Sequence, residues 1–200
     1  MYIENVARSC PLSAAAADKS LHLEIADCII DDLTGNSHYG VLQTEKVAIS
    51  SIAVEMTNTT IANTGVKAAT IFRTNTKQGN VSLVVKNCTF YNLFSGEALM
   101  RDIIGSTNSF TAENILFAGS GSVKIFNKTS DAPGIINGSK IYSSSDLTVA
   151  NAGEVSTTAL SYSSSQLFPN ASSSTDVLDL TFGADIPNEV KIIGDPRWNK

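Results

Sequence analysis

Apolar and polar residues alternate along several short segments of this chain. In residues 21–26, written Leu-His-Leu-Glu-Ile-Ala, every second residue is a large apolar one, and residues 52–57 and 81–86 repeat the pattern. A period of two places alternate side chains on one face of an extended strand, whereas a helix would need apolar residues three or four apart. These segments are therefore predicted to be strands with one buried face.

The alternating segments belong to longer copies of one repeat. Residues 21–32, 52–63 and 81–92 match position for position, residues 109–119 keep the Asn and the aromatic residue, and residues 135–143 form a fainter fifth copy. A strand with one apolar face cannot close a core alone, so the copies must stack with their strands about 4.8 Å apart. The repeat therefore predicts a β-solenoid.

A polar residue follows each alternating segment, and a second polar residue follows about five positions later. Asn and Asp suit corners because they tolerate left-handed backbone, and stacked Asn side chains can hydrogen-bond along the axis as a ladder. The residues between the two corners, Ile30, Ile61, Phe90 and Phe117, are expected to stack inward. The first corner column is Asp27, Asn58, Asn87 and Asn114, with spacings of 31, 29 and 27 residues, and the second is Asp32, Asn63 and Asn92, completed by Gly119.

A third strand is predicted further round each coil, in residues 39–43, 69–73, 98–101 and 122–127. Aligning these segments places Leu42, Phe72, Met100 and Phe126 in one column and Gln43, Arg73, Arg101 and Asn127 in the next. The spacings follow those of the corner residues and so support the same register. The sequence thus predicts an all-β fold, a single-stranded right-handed parallel β-helix (solenoid) with coils of about 25–31 residues.

The repeat divides the chain into two parts. Residues 1–145 are predicted to form the β-helix coils, and residues 146–200 irregular last coil(s) and a C-terminal cap of the same domain, with a strand at residues 177–182 and Trp198 plugging the last coil. The coils are already running by residue 21, with no cap before them and no signal-peptide pattern at the N-terminus. A cytoplasmic protein and a part of a longer one both fit this start. We expect the second, a chain whose N-terminal region is missing.

The composition of the chain limits the classes of partner that such a fold is expected to bind. Apolar residues make up 42% of the chain, enough for a continuous core, while the formal net charge of -5 and the lack of a basic stripe argue against nucleic acid. A helix that spans a membrane needs an apolar run of about 18 residues or more, and no run of that length occurs in this sequence. The three cysteines, Cys10, Cys28 and Cys88, lack metal-site spacing and are predicted to be buried free thiols, so a zinc site is not expected. No cofactor is predicted other than the Ca²⁺ ion considered below.

Two segments resemble known β-helical proteins. The coil of residues 81–92, which ends in Asn-Cys-Thr-Phe-Tyr-Asn, is similar to coils of pectate-lyase-type right-handed β-helices. The closing Ile-Gly-Asp-Pro-Arg-Trp of residues 193–198 resembles the C-terminus of β-helical domains of unknown function in secreted Bacteroidetes proteins. This resemblance implies export to the periplasm or cell surface and a role in polysaccharide use, but it carries no catalytic residue.

The column of Gln43, Arg73, Arg101 and Asn127 is the candidate carbohydrate-binding site. Polysaccharide lyases neutralise a uronate carboxylate with a cation or with Arg or Lys and remove the neighbouring proton with a base. Arginines on adjacent coils would point the same way and could hold an acidic sugar. The alternative is that each arginine covers apolar surface or pairs with a neighbouring acid such as Glu97 or Asp102.

An acidic cluster of Asp27, Asp31 and Asp32 is the candidate Ca²⁺ site, since this ion takes several oxygen ligands. The alternative reading is structural, because Asp27 and Asp32 are also expected members of the corner ladders. His22 and His38 have no nucleophile motif nearby and are predicted to be surface residues.

Three functions fit this sequence. The leading one is a non-catalytic, exported β-helix module that binds glycans or serves as a structural part of a larger surface protein. The alternatives are a polysaccharide lyase or hydrolase acting on an acidic glycan, and an adhesin or stalk. An enzyme should show a groove where acid, base and arginine converge, a glycan-binding module should expose aromatic side chains, and a stalk should show neither.

Overall fold

A computed structural model describes residues 2–3, 12–13, 20–32, 40–43, 50–64, 70–73, 80–93, 98–101, 105–126, 132–150, 155–171 and 177–200. Fifteen strands and two four-residue helices occupy these ranges. The early strands are β1 Tyr2–Ile3, β2 Leu12–Ser13, β3 Ser20–Ala26, β4 Ile29–Ile30, β5 Gly40–Gln43, β6 Ser51–Thr57, β7 Thr60–Ala62 and β8 Thr70–Arg73. The later elements are β9 Asn80–Tyr91, β10 Ala98–Arg101, β11 Gly105–Ala118, β12 Gly121–Phe126, β13 Pro133–Ser143, β14 Leu147–Ala150, β15 Thr158–Ala159, α1 Ser164–Leu167 and α2 Asn188–Lys191.

The strands form two parallel sheets in which each strand pairs with its counterpart one coil later. One sheet runs β1-β4-β7-β9-β11-β13-β15, with β3 and β6 joined to it at β9. The other runs β2-β5-β8-β10-β12-β14. This order, with non-consecutive strands as neighbours throughout, is that of a β-solenoid, and the predicted fold class is confirmed.

Both corner columns have left-handed backbone. Left-handed backbone costs about 1–2 kcal/mol for most residues because Cβ crowds the following carbonyl, and Asn and Asp tolerate it best. Gly119 continues the second corner, and its amide donates to the Ser144 hydroxyl oxygen at 3.3 Å. The non-glycine residues with positive φ are Asp27, Asp32, Asn58, Asn63, Asn87, Asn92, Asn114 and Lys140, all between 46° and 54°.

The predicted inward columns are confirmed by strand register and burial. Ile30, Ile61, Phe90 and Phe117 align and are each at most 3% exposed, and the two phenyl rings stack with centroids 5.1 Å apart. In the second sheet Leu42, Phe72, Met100 and Phe126 also align. Apolar burial on this scale, at about 25 cal/mol per Å² of area, holds the coils together.

The coils continue past the point where the repeat fades in the sequence. Strand β14 pairs with β12, and β15 pairs with β13. The predicted strand at residues 177–182 is wrong: this segment joins no sheet, although Leu178, Leu180 and Phe182 are buried in alternation. The alternation came from packing against one surface rather than from sheet pairing.

A second apolar cluster lies outside the solenoid. Leu116 and Ala118, on the outward side of β11, pack against side chains from the C-terminal part of the chain. The side chains of this cluster lie between the C-terminal segment and the outward side of the sheet, so this segment covers a sheet face. Its C-terminal members are Leu167, Phe168, Leu178, Leu180, Phe182, Ile186, Val190, Ile193 and Trp198.

Lys140 is the one left-handed corner residue with a long side chain among the residues that the structure describes, and it stands opposite Asn114 in the register. We expect Lys140→Asn to raise the free energy of unfolding by about 0.5–1 kcal/mol, because Asn tolerates this backbone conformation better. Urea unfolding measures the change. Lys191→Asn, which removes the same charge from the last turn of α2, is the control and should bring no gain. An unchanged stability for Lys140→Asn would contradict the strain argument.

Candidate functional site

The most highly organised polar cluster is a clamp formed by residues 193–198 at the C-terminus. It lies along the outward column Thr60, Thr89 and Leu116, which β7, β9 and β11 place side by side. These strands are at the second position of three successive coils, directly after the first corner. The clamp therefore crosses the strands instead of adding another one.

Gly194 allows the clamp to approach the sheet. Its φ is +81°, and a Cβ at this position would lie 2.5 Å from Thr89 Oγ1 and 3.0 Å from Leu116 Cβ. Its amide faces Asn114 Oδ1 at 3.4 Å, and Asn114 Nδ2 donates to the Ile192 carbonyl at 3.2 Å. A glycine is required here because backbone meets side chains with no room between them.

Asp195 is the centre of the clamp and is 1% exposed. Its amide donates to Thr89 Oγ1 at 2.9 Å, and its carboxylate accepts from the Thr60 hydroxyl at 2.8 Å and from the Arg197 amide at 3.1 Å. Burial raises the pKa of this carboxyl, and the hydrogen bonds from Arg197 and Thr60 offset only part of that effect. The buried charge is balanced by Arg197, whose Nε lies 2.8 Å from Oδ2.

Arg197 and Trp198 bind the end of the clamp to the coil that contains Asn58 and Thr60. Arg197 Nη2 donates to the Asn58 carbonyl at 2.8 Å, and the Trp198 indole N–H donates to Thr60 Oγ1 at 2.8 Å. Trp198 is buried in the outer apolar cluster. The prediction that it plugs the last coil is wrong, because it contacts a strand several coils earlier.

The first corner ladder is built by side-chain amides. Asn58, Asn87 and Asn114 each donate Nδ2 to the residue one coil earlier, at 3.2, 3.2 and 2.9 Å, and the ladder begins at Asp27 Oδ1. Asn114 is at once the last member of this ladder and the first contact of the clamp. This double role was not foreseen, since the clamp contacts have no spacing that a repeat would reveal.

The second ladder differs from the prediction at its first member. Asn92 donates to Asn63 Oδ1 at 2.9 Å, but Asn63 donates to Asp31 Oδ1 at 2.8 Å rather than to Asp32. Asp32 supplies the left-handed backbone, and its amide donates to Asp31 Oδ1 at 2.9 Å. The backbone corner and the side-chain ladder are therefore carried by adjacent residues.

The candidate calcium ligands lie at two corners rather than one. Asp27 is at the first corner and Asp31 and Asp32 are at the second, on either side of β4. Within the described ranges, no three side chains of His, Cys, Asp or Glu come together in a way that could hold a metal ion. Calcium binding by these three residues stays a prediction.

The candidate sugar-binding column is aligned as far as the structure describes it. Gln43 is opposite Arg73, and Arg73 is opposite Arg101, on adjacent parallel strands. Arg73 is half-buried, and Asn127 lies outside the described residues. The register brings the two arginines to neighbouring positions, while their role toward an acidic glycan stays a prediction.

The buried cysteines have a structural role at the first corner. Cys28 Sγ and Cys88 Sγ donate to the carbonyls two residues earlier, at 3.1 Å each, and the Thr59 hydroxyl does the same at 2.8 Å. Desolvation by burial raises the pKa of the Cys88 thiol to about 12, so it remains protonated and unreactive. Cys28 and Cys88 are free thiols, as predicted, and Cys10 lies outside the described residues.

The outward side chains that precede the first corner in β3, β6, β9, β11 and β13 form a second polar surface, here called the outer face. They alternate within residues 20–26, 51–57, 80–86, 107–113 and 135–139. None of these outward side chains is buried, and His22 is among the exposed ones, as predicted. His38 lies outside the described residues. Hydroxyl and amide side chains hydrogen-bond along the axis on this face: Ser51 to Ser20 at 2.8 Å, Thr107 to Asn80 at 2.9 Å and Ser109 to Ser82 at 3.2 Å.

Exposed aromatic side chains are absent from the part of the chain whose side chains are described. The large apolar side chains exposed there are Ile135, Val177 and Ile192. Tyr91 and Tyr142 are half-buried against the outer apolar cluster.

Comparison with known proteins returned no relative: no family model, no curated protein and no solved structure matches this chain. Neither helix in the described ranges is long and apolar enough to cross a membrane.

Gly194→Ala tests the close approach of the clamp. We expect it to lower the free energy of unfolding by about 2–4 kcal/mol, because the new Cβ meets Thr89 and Leu116 and the backbone is left-handed. Urea unfolding measures the loss. Ala184→Gly, an exposed change of the same size in the same segment, is the control and should cost less than about 1 kcal/mol.

Proposed function

We propose that this chain is a non-catalytic structural module of a larger exported protein, in which the solenoid acts as a stiff spacer at the cell surface or in the periplasm. The observation that carries the proposal is the clamp, whose hydrogen bonds connect it to β7, β9 and the corner residue of β11. A contact set that crosses three coils restrains them against separating along the solenoid axis.

Such a restraint changes how a solenoid responds to load. In a simple repeat protein each coil touches only its neighbours, so coils can detach one at a time from an end. Here, separating β7 from β9 also requires breaking the contact of Asp195 with either Thr60 or Thr89. The clamp therefore couples neighbouring coils into one cooperative unit, as a spacer under tension needs.

Export is supported by the closing sequence. Residues 193–198, which resemble the C-terminus of β-helical domains in secreted proteins, are the same residues that form the clamp. Each has a physical task there: Gly194 permits close approach, Asp195 caps the 3₁₀ turn of Pro196–Trp198, and Trp198 fills the outer cluster. The residues that carry the resemblance are thus residues that hold the C-terminal segment against the solenoid.

Asp195→Ala tests the spacer role. Removing the carboxylate leaves Arg197 without its buried partner and frees the Thr60 hydroxyl, so we expect a loss of about 3 kcal/mol in the free energy of unfolding. In single-molecule pulling between the two termini, the wild type should unfold β7 to β11 in one step, and the variant in several steps at lower force.

Asp185→Ala is the matched control, because it removes an exposed aspartate from the same segment without touching the clamp. It should unfold like the wild type. A wild type that already unravels coil by coil, at the same force as Asp195→Ala, would refute the spacer role.

Glycan binding along the outer face is a second candidate function. The supporting observation is the set of in-register hydroxyl and amide side chains, which repeats at the strand spacing of about 4.8 Å on a face that the C-terminal segment leaves open. An extended polysaccharide could bind there through many modest hydrogen bonds instead of aromatic stacking. This differs from the exposed aromatic side chains that we expect of a glycan-binding module.

Thr111→Trp tests this second function. Thr111 is an outward residue near the middle of the outer face, and a bulky side chain there would lift a bound chain off the surface. If the face binds glycan, affinity electrophoresis through neutral and acidic polysaccharides should show retardation of the wild type that Thr111→Trp loses. Thr148→Trp, at an exposed position of β14, is the control and should keep the retardation. Equal retardation of both variants would argue against the outer face.

A further inference from the structure

The outer face carries more acidic than basic side chains. Apart from His22, its ionisable residues in the described strands are Glu24, Glu55 and Glu113, which are exposed, and the half-buried Lys86. Lys86 stands opposite Glu113 on the neighbouring strand, so these two charges offset each other. Glu24 and Glu55 remain and leave the face with a net negative charge.

Glu24 and Glu55 lie side by side on this face. They are opposite each other on β3 and β6, parallel strands about 4.8 Å apart, and the same column continues with Val84 on β9 and not with a cation. Like charges placed directly opposite each other repel. The carboxylate of a uronic acid bound there would add to this repulsion, because the column offers it no positive charge.

The hydroxyl groups of the outer face are arranged as acceptors. Those of Ser51, Thr107 and Ser109 each donate their proton to a side-chain oxygen one coil earlier. A hydroxyl has one proton but two lone pairs, so these three oxygens can only accept from a ligand while the ladder bonds are intact. The hydroxyl group of a sugar can donate to them, whereas an ionised carboxylate has only acceptors to offer.

Charge and hydrogen-bonding capacity thus favour the same class of ligand. We propose that the outer face binds an uncharged polysaccharide, whose hydroxyl groups donate to the oxygens of the face, and that it rejects chains of uronic acids. This inference rests on the second candidate function above and names the class of ligand for it. The column of Gln43, Arg73 and Arg101 belongs to the other sheet, so the proposal concerns the outer face alone.

The test is affinity electrophoresis of the full chain at low ionic strength, where charges are little screened. One set of gels contains neutral polysaccharides, namely hydroxyethyl cellulose, galactomannan and dextran, and another contains polygalacturonate. At least one neutral polysaccharide should retard the wild type, and Thr111→Trp should lose that retardation. In polygalacturonate the two proteins should have the same mobility, because the outer face does not bind this polymer.

The double variant Glu24→Gln/Glu55→Gln removes the repulsion, so it should gain retardation in polygalacturonate and keep that in the neutral gels. Asp185→Asn/Glu189→Gln, which removes two exposed charges from the C-terminal segment, is the matched control and should migrate relative to a plain gel as the wild type does.

Two results would overturn the proposal in different ways. Retardation of the wild type in polygalacturonate that Thr111→Trp abolishes would refute the class of ligand and leave glycan binding by the outer face in place. Absence of retardation in all of these gels would refute glycan binding by this face, and the inference with it.

Discussion

Left-handed backbone at the corners of the coils is the constraint on which this solenoid depends. Each coil must turn sharply after its first strand and again about five residues later, and L-residues other than Asn, Asp and Gly resist that conformation. The side chains at these corners then bond along the axis, as Asn87 does to Asn58 and Asn114 to Asn87. At these positions the same residue therefore allows the chain to turn and hydrogen-bonds one coil to the next.

The corner also decides what can follow it inside the core. The residue after the first corner points inward, where its side chain can reach the carbonyl two residues earlier. Cys28, Thr59 and Cys88 donate a thiol or hydroxyl to that carbonyl, and later coils place Ile115 and Ile141 in the column instead. These small polar side chains thus have hydrogen-bond partners in an otherwise apolar core, and the cysteines need no redox role to be explained.

The strands that follow the first corner bind the C-terminal segment on their outward side. Thr60 and Thr89 offer hydroxyls that bind Asp195, while Leu116 and Ala118 offer apolar surface for the outer cluster. A face that is hydroxylic at one end and apolar at the other fits a segment that is polar at its tip and apolar before it. Among the described residues, the outward side chains that precede the first corner lie outside this cluster and are exposed or half-buried.

The sequence by itself determined the strands, the two corners and the register of the inward columns. Each rests on a local pattern, the period of two and the Asn or Asp that follows it, repeated at a nearly constant spacing. The continuous apolar run of residues 115–118 is a further local signal, since burial of both faces of a strand implies that something covers the sheet. Only the tertiary structure decided which cover it was. The Asp195 carboxylate accepts a hydrogen bond from Thr60, 135 residues away, and Asn63 donates to Asp31 instead of Asp32. Neither contact could be predicted, because both depend on how folded elements pack against one another and not on any period along the chain.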